Sequence, residues 1–144
     1  TCALTALGAA YCWGSNSLGQ LGIGTADFDP HSVPIAVTGN ITFQQVAAGG
    51  AFIGHTCGLT SNGQVYCWGD NEVGAIGDGS LLDRLVPVPV AGQRTFTSLD
   101  AGFRHTCGRA STGALYCWGS NRAGQLGVNS RNIEMAPAKV VGQP

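Results

Sequence analysis

One fifteen-residue pattern occurs three times and constrains the fold of this chain more than any other feature. Residues 55–69 carry it in full, as His-Thr-Cys-Gly-Leu-Thr-Ser-Asn-Gly-Gln-Val-Tyr-Cys-Trp-Gly. A shortened first copy occupies residues 1–14, and a third copy occupies residues 105–119. Each copy predicts two short strands around a three-residue turn that ends in glycine, because the last position of such a loop needs a positive φ.

The two cysteines of each copy have a fixed relation to that turn. Reflecting the chain through the turn places one cysteine directly opposite the other, in the pairs Cys2 with Cys12, Cys57 with Cys67, and Cys107 with Cys117. Opposed residues bring their Cβ atoms to roughly 4.5–5.5 Å, which is close enough for a disulfide. Zinc is a weaker alternative, since each hairpin offers only two thiolates where a structural zinc needs four ligands. Free buried thiols are the third possibility.

The cysteines indicate the compartment of the protein, and the composition limits the kinds of partner it can bind. Disulfides persist in oxidising compartments, so the chain is predicted to be extracellular, periplasmic or on a cell surface. Charged residues are 10% of the sequence and the net charge is −1, which argues against a nucleic-acid partner. No apolar run is long enough to span a membrane. The chain begins with Thr1 rather than methionine, so we expect a processed N-terminus or a piece of a longer protein.

Alternation along the second strand of each hairpin places one tyrosine and one tryptophan on the face opposite the cysteines. These residues are Tyr11 with Trp13, Tyr66 with Trp68, and Tyr116 with Trp118. Both faces of the hairpin are then apolar, so it is expected to lie between two neighbours. An aromatic pair at a fixed place in each repeat is typical of core packing. A stacking platform for a ligand is the alternative.

The rest of each repeat supplies two further strands. A proline-flanked segment follows each hairpin and predicts an outer edge strand, because proline cannot donate to a β-ladder. A segment that begins with phenylalanine, at Phe43 or Phe96, leads into the next hairpin. The repeated tryptophans are 55 and 50 residues apart. Four short antiparallel strands per repeat of about 50 residues predict an all-β chain of β-propeller blades.

Several short sequence motifs of the repeats resemble those of a known family. The runs His-Thr-Cys-Gly, Tyr-Cys-Trp-Gly and Gly-Gln-Leu-Gly, with Ala-Gly ahead of the histidine, resemble the regulator-of-chromosome-condensation repeat. The resemblance covers essentially the whole chain and implies a propeller, which usually has seven blades in that family. The cysteine-bearing form is most similar to secreted bacterial members. No residues match those of the family's nucleotide-exchange factor, so the resemblance does not imply that activity.

Three repeats are too few to close a propeller, which has typically 4–8 blades. The chain is therefore predicted to be part of a larger propeller, or of one assembled from several copies. We divide it as one repeat domain, 1–144, with a partial blade and the start of the next at 1–50. A blade follows at 51–100, and a blade that is incomplete at its end at 101–144. Unpaired strand edges at the two ends are expected to pair with something.

The candidate binding residues lie where the repeats differ. Five residues separate Gly49 from His55, whereas only two separate Gly102 from His105. Aromatic residues and arginine are favoured at protein interfaces. The candidate contacts are therefore Phe52, Ile53, Phe103 and Arg104. The alternative is that Phe52 and Ile53 pack into a neighbouring blade.

Catalysis finds little support in the sequence. His55 and His105 occur at the same position of their repeats, which is typical of structural hydrogen bonding. A catalytic triad instead needs a serine and an acid that each occur at one place in the chain and are not repeated. No catalytic residue, metal site or cofactor is predicted. The sequence favours a non-catalytic extracellular module that binds protein or serves as a scaffold. A self-assembling ring or filament subunit, binding further copies of itself, is the first alternative, and an enzyme is the last.

Overall fold

The structure, a computed structural model, describes residues 1–50 and 53–143, and its regular elements in those ranges are all strands. Eleven strands form three antiparallel sheets, in each of which successive strands are neighbours. The first sheet contains β1 (Cys2–Leu4), β2 (Ala10–Asn16) and β3 (Asp27–Ala36). The second contains β4 (Gln45–Gly50), β5 (Gly54–Leu59), β6 (Val65–Gly69) and β7 (Arg84–Pro89). The third contains β8 (Phe96–Ala101), β9 (His105–Ala110), β10 (Leu115–Gly119) and β11 (Glu134–Lys139). The predicted all-β fold is confirmed.

The central hairpin of each sheet has the predicted register and turn. The two cysteines of each copy are directly opposed partners in the ladder and are joined by a disulfide. The third turn residue has a positive φ in all three hairpins, at Gly8 (81°), Gly63 (83°) and Gly113 (90°). No free cysteine is left. The prediction of three disulfides, each within one hairpin, is therefore confirmed.

The proline-bearing strands lie at the outer edge of each sheet, as predicted. In the described part of the chain β3 pairs only with β2, β7 with β6, and β11 with β10. Pro34, Pro87 and Pro137 fall in these three strands. An edge strand can contain proline because one side of it needs no ladder hydrogen bonds. Each outer strand also has a shift of register against its neighbour near the glycine after the tryptophan.

The sheets pack face to face, so that the disulfides of the first and second sheets lie against the aromatic face of the next sheet. One apolar cluster holds Cys57, Cys67, Ile76 and Trp118, and therefore joins the second sheet to the third. The other holds Cys12 and Leu21 of the first repeat with Trp68 of the second. Trp68 and Trp118 are fully buried, which confirms the core interpretation for these two tryptophans, whereas Trp13 is partly exposed and Tyr11 is 37% exposed.

The first sheet differs from the others by one strand. The inner strands β4 and β8 pair with β5 and β9, whereas no described strand pairs with the corresponding edge of β1. The chain is thus a partial propeller of three blades, as predicted. Each complete sheet begins at its phenylalanine-led segment, with β4 from Gln45 and β8 from Phe96. The division of the chain into the segments 1–50, 51–100 and 101–144 stays a prediction.

A buried asparagine closes the connection between the last two strands of each blade. Asn71 is fully buried, and its Oδ1 accepts a hydrogen bond from the Ile76 amide at 3.0 Å. Its Nδ2 donates to the carbonyls of Ser80 and Leu82, at 3.0 and 3.1 Å. Asn16 and Asn121 hold the same positions in the other repeats and make equivalent bonds. The connection has no regular secondary structure, and these asparagine side chains hold it by bonding its backbone groups.

Replacing Asn71 with alanine is expected to lower the free energy of unfolding by about 3 kcal/mol. The change removes the partners of one buried amide and two carbonyls, and each unsatisfied buried group costs about 1–3 kcal/mol. Denaturant titration of the oxidised protein measures the loss. Asn132→Ala is the control, because Asn132 is exposed and its replacement should change stability by less than about 0.5 kcal/mol. Equal losses in the two variants would contradict the structural role of Asn71.

Candidate functional site

The two loops that carry the predicted binding residues begin side by side. Gly49, in β4, is so close to Gly102 that a Cβ atom on Gly49 would lie 2.1 Å from the Gly102 carbonyl oxygen. From there the β4–β5 loop carries Ile53, which is 36% exposed, and the β8–β9 loop carries Phe103, which is 61% exposed. Phe52 lies outside the described residues. The loops thus present two large apolar side chains from neighbouring blades.

Arg104 fastens the second of these loops to the preceding blade. Its Nη2 lies 2.5 Å from Glu72 Oε2 and 3.4 Å from Asp70 Oδ2, both in the connection that follows β6. The hydrogen bond from Arg104 to Glu72 is the main cause that raises the pKa of the guanidinium, and the charge of Asp70 acts in the same direction. The buried Nε has no partner among the described residues. The exposed Phe103 therefore directly precedes Arg104, which is bound by the carboxylates of Glu72 and Asp70.

His55 makes a contact between blades from a fully buried position. It is 2% exposed, and its Nε2 lies 2.7 Å from Thr106 Oγ1 of the third blade. The Thr106 hydroxyl donates to the Ala75 carbonyl at 3.0 Å, so it accepts a hydrogen bond from His55 Nε2–H. Burial lowers the pKa of His55 to about 4, and the charge of His105 contributes further. His55 is therefore a neutral imidazole, buried away from solvent, and it donates a structural hydrogen bond to the third blade.

One backbone carbonyl is the centre of the contact between the first and second blades. Trp68 Nε1 and Thr56 Oγ1 both donate to the Gln20 carbonyl oxygen, at 3.1 and 3.0 Å. The indole also covers Gly22, where a Cβ atom would lie 2.7 Å from Trp68 Nε1. We name this arrangement the Trp–Thr clamp: a tryptophan and a threonine of one blade that share a carbonyl of the preceding blade.

The second and third blades are joined by the same clamp. Trp118 Nε1 and Thr106 Oγ1 donate to the Ala75 carbonyl oxygen, each at 3.0 Å. A Cβ atom on Gly77 would lie 2.5 Å from Trp118 Nε1, so this glycine is required for the close approach of the indole. The clamp explains why tryptophan and the Gly-x-Leu/Ile-Gly run recur together.

The described residues contain no group of three or more His, Cys, Asp or Glu side chains that could hold a metal ion. In the same ranges, no helix is long and apolar enough to cross a membrane.

Each sheet is an antiparallel meander with one disulfide, and successive sheets are joined by the same Trp–Thr clamp. These features define a partial β-propeller built from one repeated unit. The chain belongs to the Regulator of chromosome condensation (RCC1) repeat family. A sequence profile of that repeat matches residues 8–57, 62–108 and 112–144, and a second profile of the same repeat matches residues 43–75 and 96–125.

Two relatives of known sequence are much longer than this chain. The human probable E3 ubiquitin-protein ligase HERC4 is 41% identical over 87 residues, which cover 59% of this chain and 8% of HERC4. The Ultraviolet-B receptor UVR8 of Arabidopsis thaliana is 35% identical over 104 residues, which cover 71% of this chain and 23% of the receptor.

The solved structures show the same fold. Prp20p of Saccharomyces cerevisiae superposes with a TM-score of 0.85 at 22% identity, over 99% of this chain and 36% of Prp20p. Human WBSCR16 superposes with a TM-score of 0.82 at 25% identity, over 97% of this chain and 37% of WBSCR16. The chain therefore spans a little over a third of the length of these propellers.

Proposed function

We propose that the chain is part of a non-catalytic extracellular module that binds protein through the loops at Ile53 and Phe103. The observation that carries this proposal is Phe103, a 61% exposed aromatic side chain whose neighbour Arg104 is held by Glu72 and Asp70. A fixed, exposed aromatic group provides contact area at low entropic cost, and such residues dominate the energetics of protein interfaces. Phe52, in the longer β4–β5 loop, belongs to the same proposal.

The proposed compartment rests on the cysteines. All six form disulfides within hairpins, and such bridges persist where the surroundings are oxidising. Assignment to an extracellular, periplasmic or surface location, and to the cysteine-bearing secreted bacterial branch, stays a proposal on this basis. So does the treatment of residues 1–144 as a single repeat domain.

The proposed kind of partner is a protein rather than a nucleic acid. The crystal structure of Prp20p, which shares the fold, was reported together with its binding to Gsp1p and histones, so this architecture is compatible with protein partners. The net charge of −1 provides little attraction for a phosphate backbone. The absence of a catalytic role is proposed because His55 is held as a hydrogen-bond donor between blades.

A peptide library tests the binding loops. Peptides selected on the immobilised wild-type chain are expected to lose at least about tenfold in affinity when Phe103 is replaced by alanine, because aromatic hot spots contribute 2 kcal/mol or more. Leu7→Ala is the matched control, since Leu7 is 87% exposed in the turn of the first hairpin. Selected peptides that bind Phe103→Ala as well as wild type, but not Leu7→Ala, would overturn the assignment of the site.

A further inference from the structure

The turn that leads from one blade into the next has the same backbone in the first two repeats but a different kind of side chain at one position. Asn40 and Gln93 occupy the same place in this turn and have positive φ values, 51° and 45°. The following residue is Ile41 in the first repeat and Arg94 in the second. Ile41 packs against the apolar cluster between the first and second blades. An apolar residue therefore satisfies the packing at this position, and the arginine is a departure that the fold does not require.

Arg94 is held in place without an anionic partner. Its Cζ lies 4.6 Å from the centroid of the Tyr116 ring, in the third blade. A guanidinium over an aromatic ring is held through its face, whereas its N–H donors lie in its plane. Arg84 and Arg104 both pair with carboxylates, but in the described part of the chain Arg94 makes no ion pair or hydrogen bond. Its donors are therefore available to a ligand.

A small cavity of about 110 Å³ lies beside this guanidinium, between the second and third blades. Two of its lining residues, Val65 and Phe96, are apolar and each is 4% exposed. Gln64 also lines the cavity, and the Tyr66 hydroxyl donates to Gln64 Oε1 at 3.2 Å, so the amide N–H groups of Gln64 remain as donors. The described residues that line the cavity include no acid. We name it the Arg94 pocket, defined by Gln64, Val65, Arg94 and Phe96.

We propose that the Arg94 pocket binds a carboxylate group of a protein partner. Guanidinium N–H groups bind a carboxylate through two parallel hydrogen bonds, and no acid of the described lining competes for the charge of Arg94. At roughly 30 Å³ for each water-sized group, the cavity holds about four non-hydrogen atoms. That number matches a carboxylate with one methylene group, and Val65 and Phe96 offer the methylene an apolar surface.

The pocket is separate from the loops of the proposed function. Strand β8 runs from Phe96 to Ala101, and Phe103 follows it, so Phe96 and Phe103 lie at opposite ends of this strand. A partner that reaches Arg94 therefore contacts the other end of the blades. The inference consequently does not depend on the binding loops at Ile53 and Phe103.

NMR titration of the oxidised, isotope-labelled chain with sodium propionate tests the pocket. Propionate is a carboxylate on a short aliphatic stem, and the ionic strength is kept low and constant because salt screens an accessible charge. The signals of Arg94 Nε–H and of the Gln64 side-chain amide are expected to shift and to saturate. Propionamide has nearly the same shape without the charge, so it should cause no saturable shift. The proposal is wrong if propionamide binds as tightly as propionate, or if inorganic phosphate binds more tightly than propionate.

Arg94→Ile is the decisive variant, because the first repeat has isoleucine at this position and the substitution is expected to leave the fold intact. Its affinity for propionate, followed at the Gln64 side chain, should fall at least about tenfold with the loss of a charged donor. Arg122→Ile is the matched control, since Arg122 is exposed and its replacement should leave propionate binding unchanged. The dispersion of the amide spectrum verifies folding, and Arg94→Gln replaces Arg94→Ile if that variant is unfolded. Wild-type affinity in the folded variant would refute the site.

Capped peptides distinguish the two sources of a carboxylate in a protein partner. Acetyl-Gly-Glu-Gly amide offers an acidic side chain only, and acetyl-Gly-Gly with a free carboxyl end offers a chain terminus only. At least one of these peptides should shift the same two signals in the wild type and bind Arg94→Ile at least about tenfold more weakly. Acetyl-Gly-Gln-Gly amide is the neutral control. Absence of binding by both charged peptides, or equal binding by the neutral one, would show that the pocket does not serve a protein partner.

Discussion

Replacing Trp118 with alanine is expected to lower the free energy of unfolding by about 4 kcal/mol, which is the usual range for a fully buried tryptophan. The indole is completely buried and its ring centroid lies 6.0 Å from that of Phe96. It also donates to the Ala75 carbonyl at 3.0 Å. The variant therefore loses apolar burial, leaves a cavity between two blades and removes one donor from a Trp–Thr clamp. Equilibrium unfolding in urea, without reductant, measures the effect.

Trp13→Ala is the matched control for this experiment, because the repeat places the same residue type at the same position. Trp13 is partly exposed and has no hydrogen-bond acceptor among the residues described. At a concentration where the chain is monomeric, its replacement should cost less than about 1.5 kcal/mol. Equal losses for Trp118→Ala and Trp13→Ala would show that the stability of an indole in this fold does not come from the contact between blades.

Acidification from pH 7.5 to pH 5 is expected to lower the free energy of unfolding by about 2 kcal/mol through His55 alone. Burial lowers the pKa of His55 to about 4 in the folded chain, whereas an unfolded histidine has a pKa of about 6.5. Between these values the unfolded chain binds a proton that the folded chain does not bind, so stability falls as the pH falls. The loss reaches about 3 kcal/mol near pH 4 and levels off below that pH, since one pKa unit corresponds to 1.36 kcal/mol.

His55→Gln separates this effect from the titration of other groups. Glutamine can still donate to Thr106 Oγ1 but carries no group that titrates in this range. The difference in unfolding free energy between pH 7.5 and pH 5 should therefore shrink by about 2 kcal/mol in the variant. The carboxyl pKa values of Asp27 and Asp78 are lowered, so their contributions are lost only below about pH 4, outside this interval. An unchanged pH dependence in His55→Gln would contradict the assignment.

The hairpins could be predicted from the sequence because their determinants are local. A glycine such as Gly63 fixes the turn, the turn fixes the register, and the register brings Cys57 opposite Cys67. A proline in a strand likewise indicates that the strand lies at the edge of its sheet, because the missing amide N–H is tolerated only there. The number of strands per blade then follows from the spacing of the repeats.

The contacts between blades could not be predicted in the same way, because the group at their centre belongs to the backbone. The acceptor is the carbonyl of Gln20 in one clamp and of Ala75 in the other, so its side chain carries no consistent signal. The donors Trp68 and Thr56 are visible in the sequence as repeated residues, but nothing local states which carbonyl they reach. The bond from His55 to Thr106 depends on the same packing of one blade on the next.

The candidate site was predicted only in outline. A difference in loop length pointed to Ile53 and Phe103, and both side chains have exposed surface. The sequence did not show that Arg104 would turn toward Glu72 and Asp70, which lie more than thirty residues earlier. That pairing is set by the stacking of two blades. Unpaired strand edges were expected from the incomplete ring, and no described strand pairs with the inner edge of β1.

The placement of the disulfides also decides how this chain would respond to a pulling force on its two ends. Each bridge joins residues ten apart within a single hairpin, so only the polypeptide backbone links one blade covalently to the next. Blades would therefore separate one at a time at their non-covalent contacts, and the stack would lengthen in steps. Each bridge keeps about ten residues from extending, roughly 35 Å at 3.3–3.6 Å per residue. About 100 Å of length in the three hairpins would then become available only after reduction.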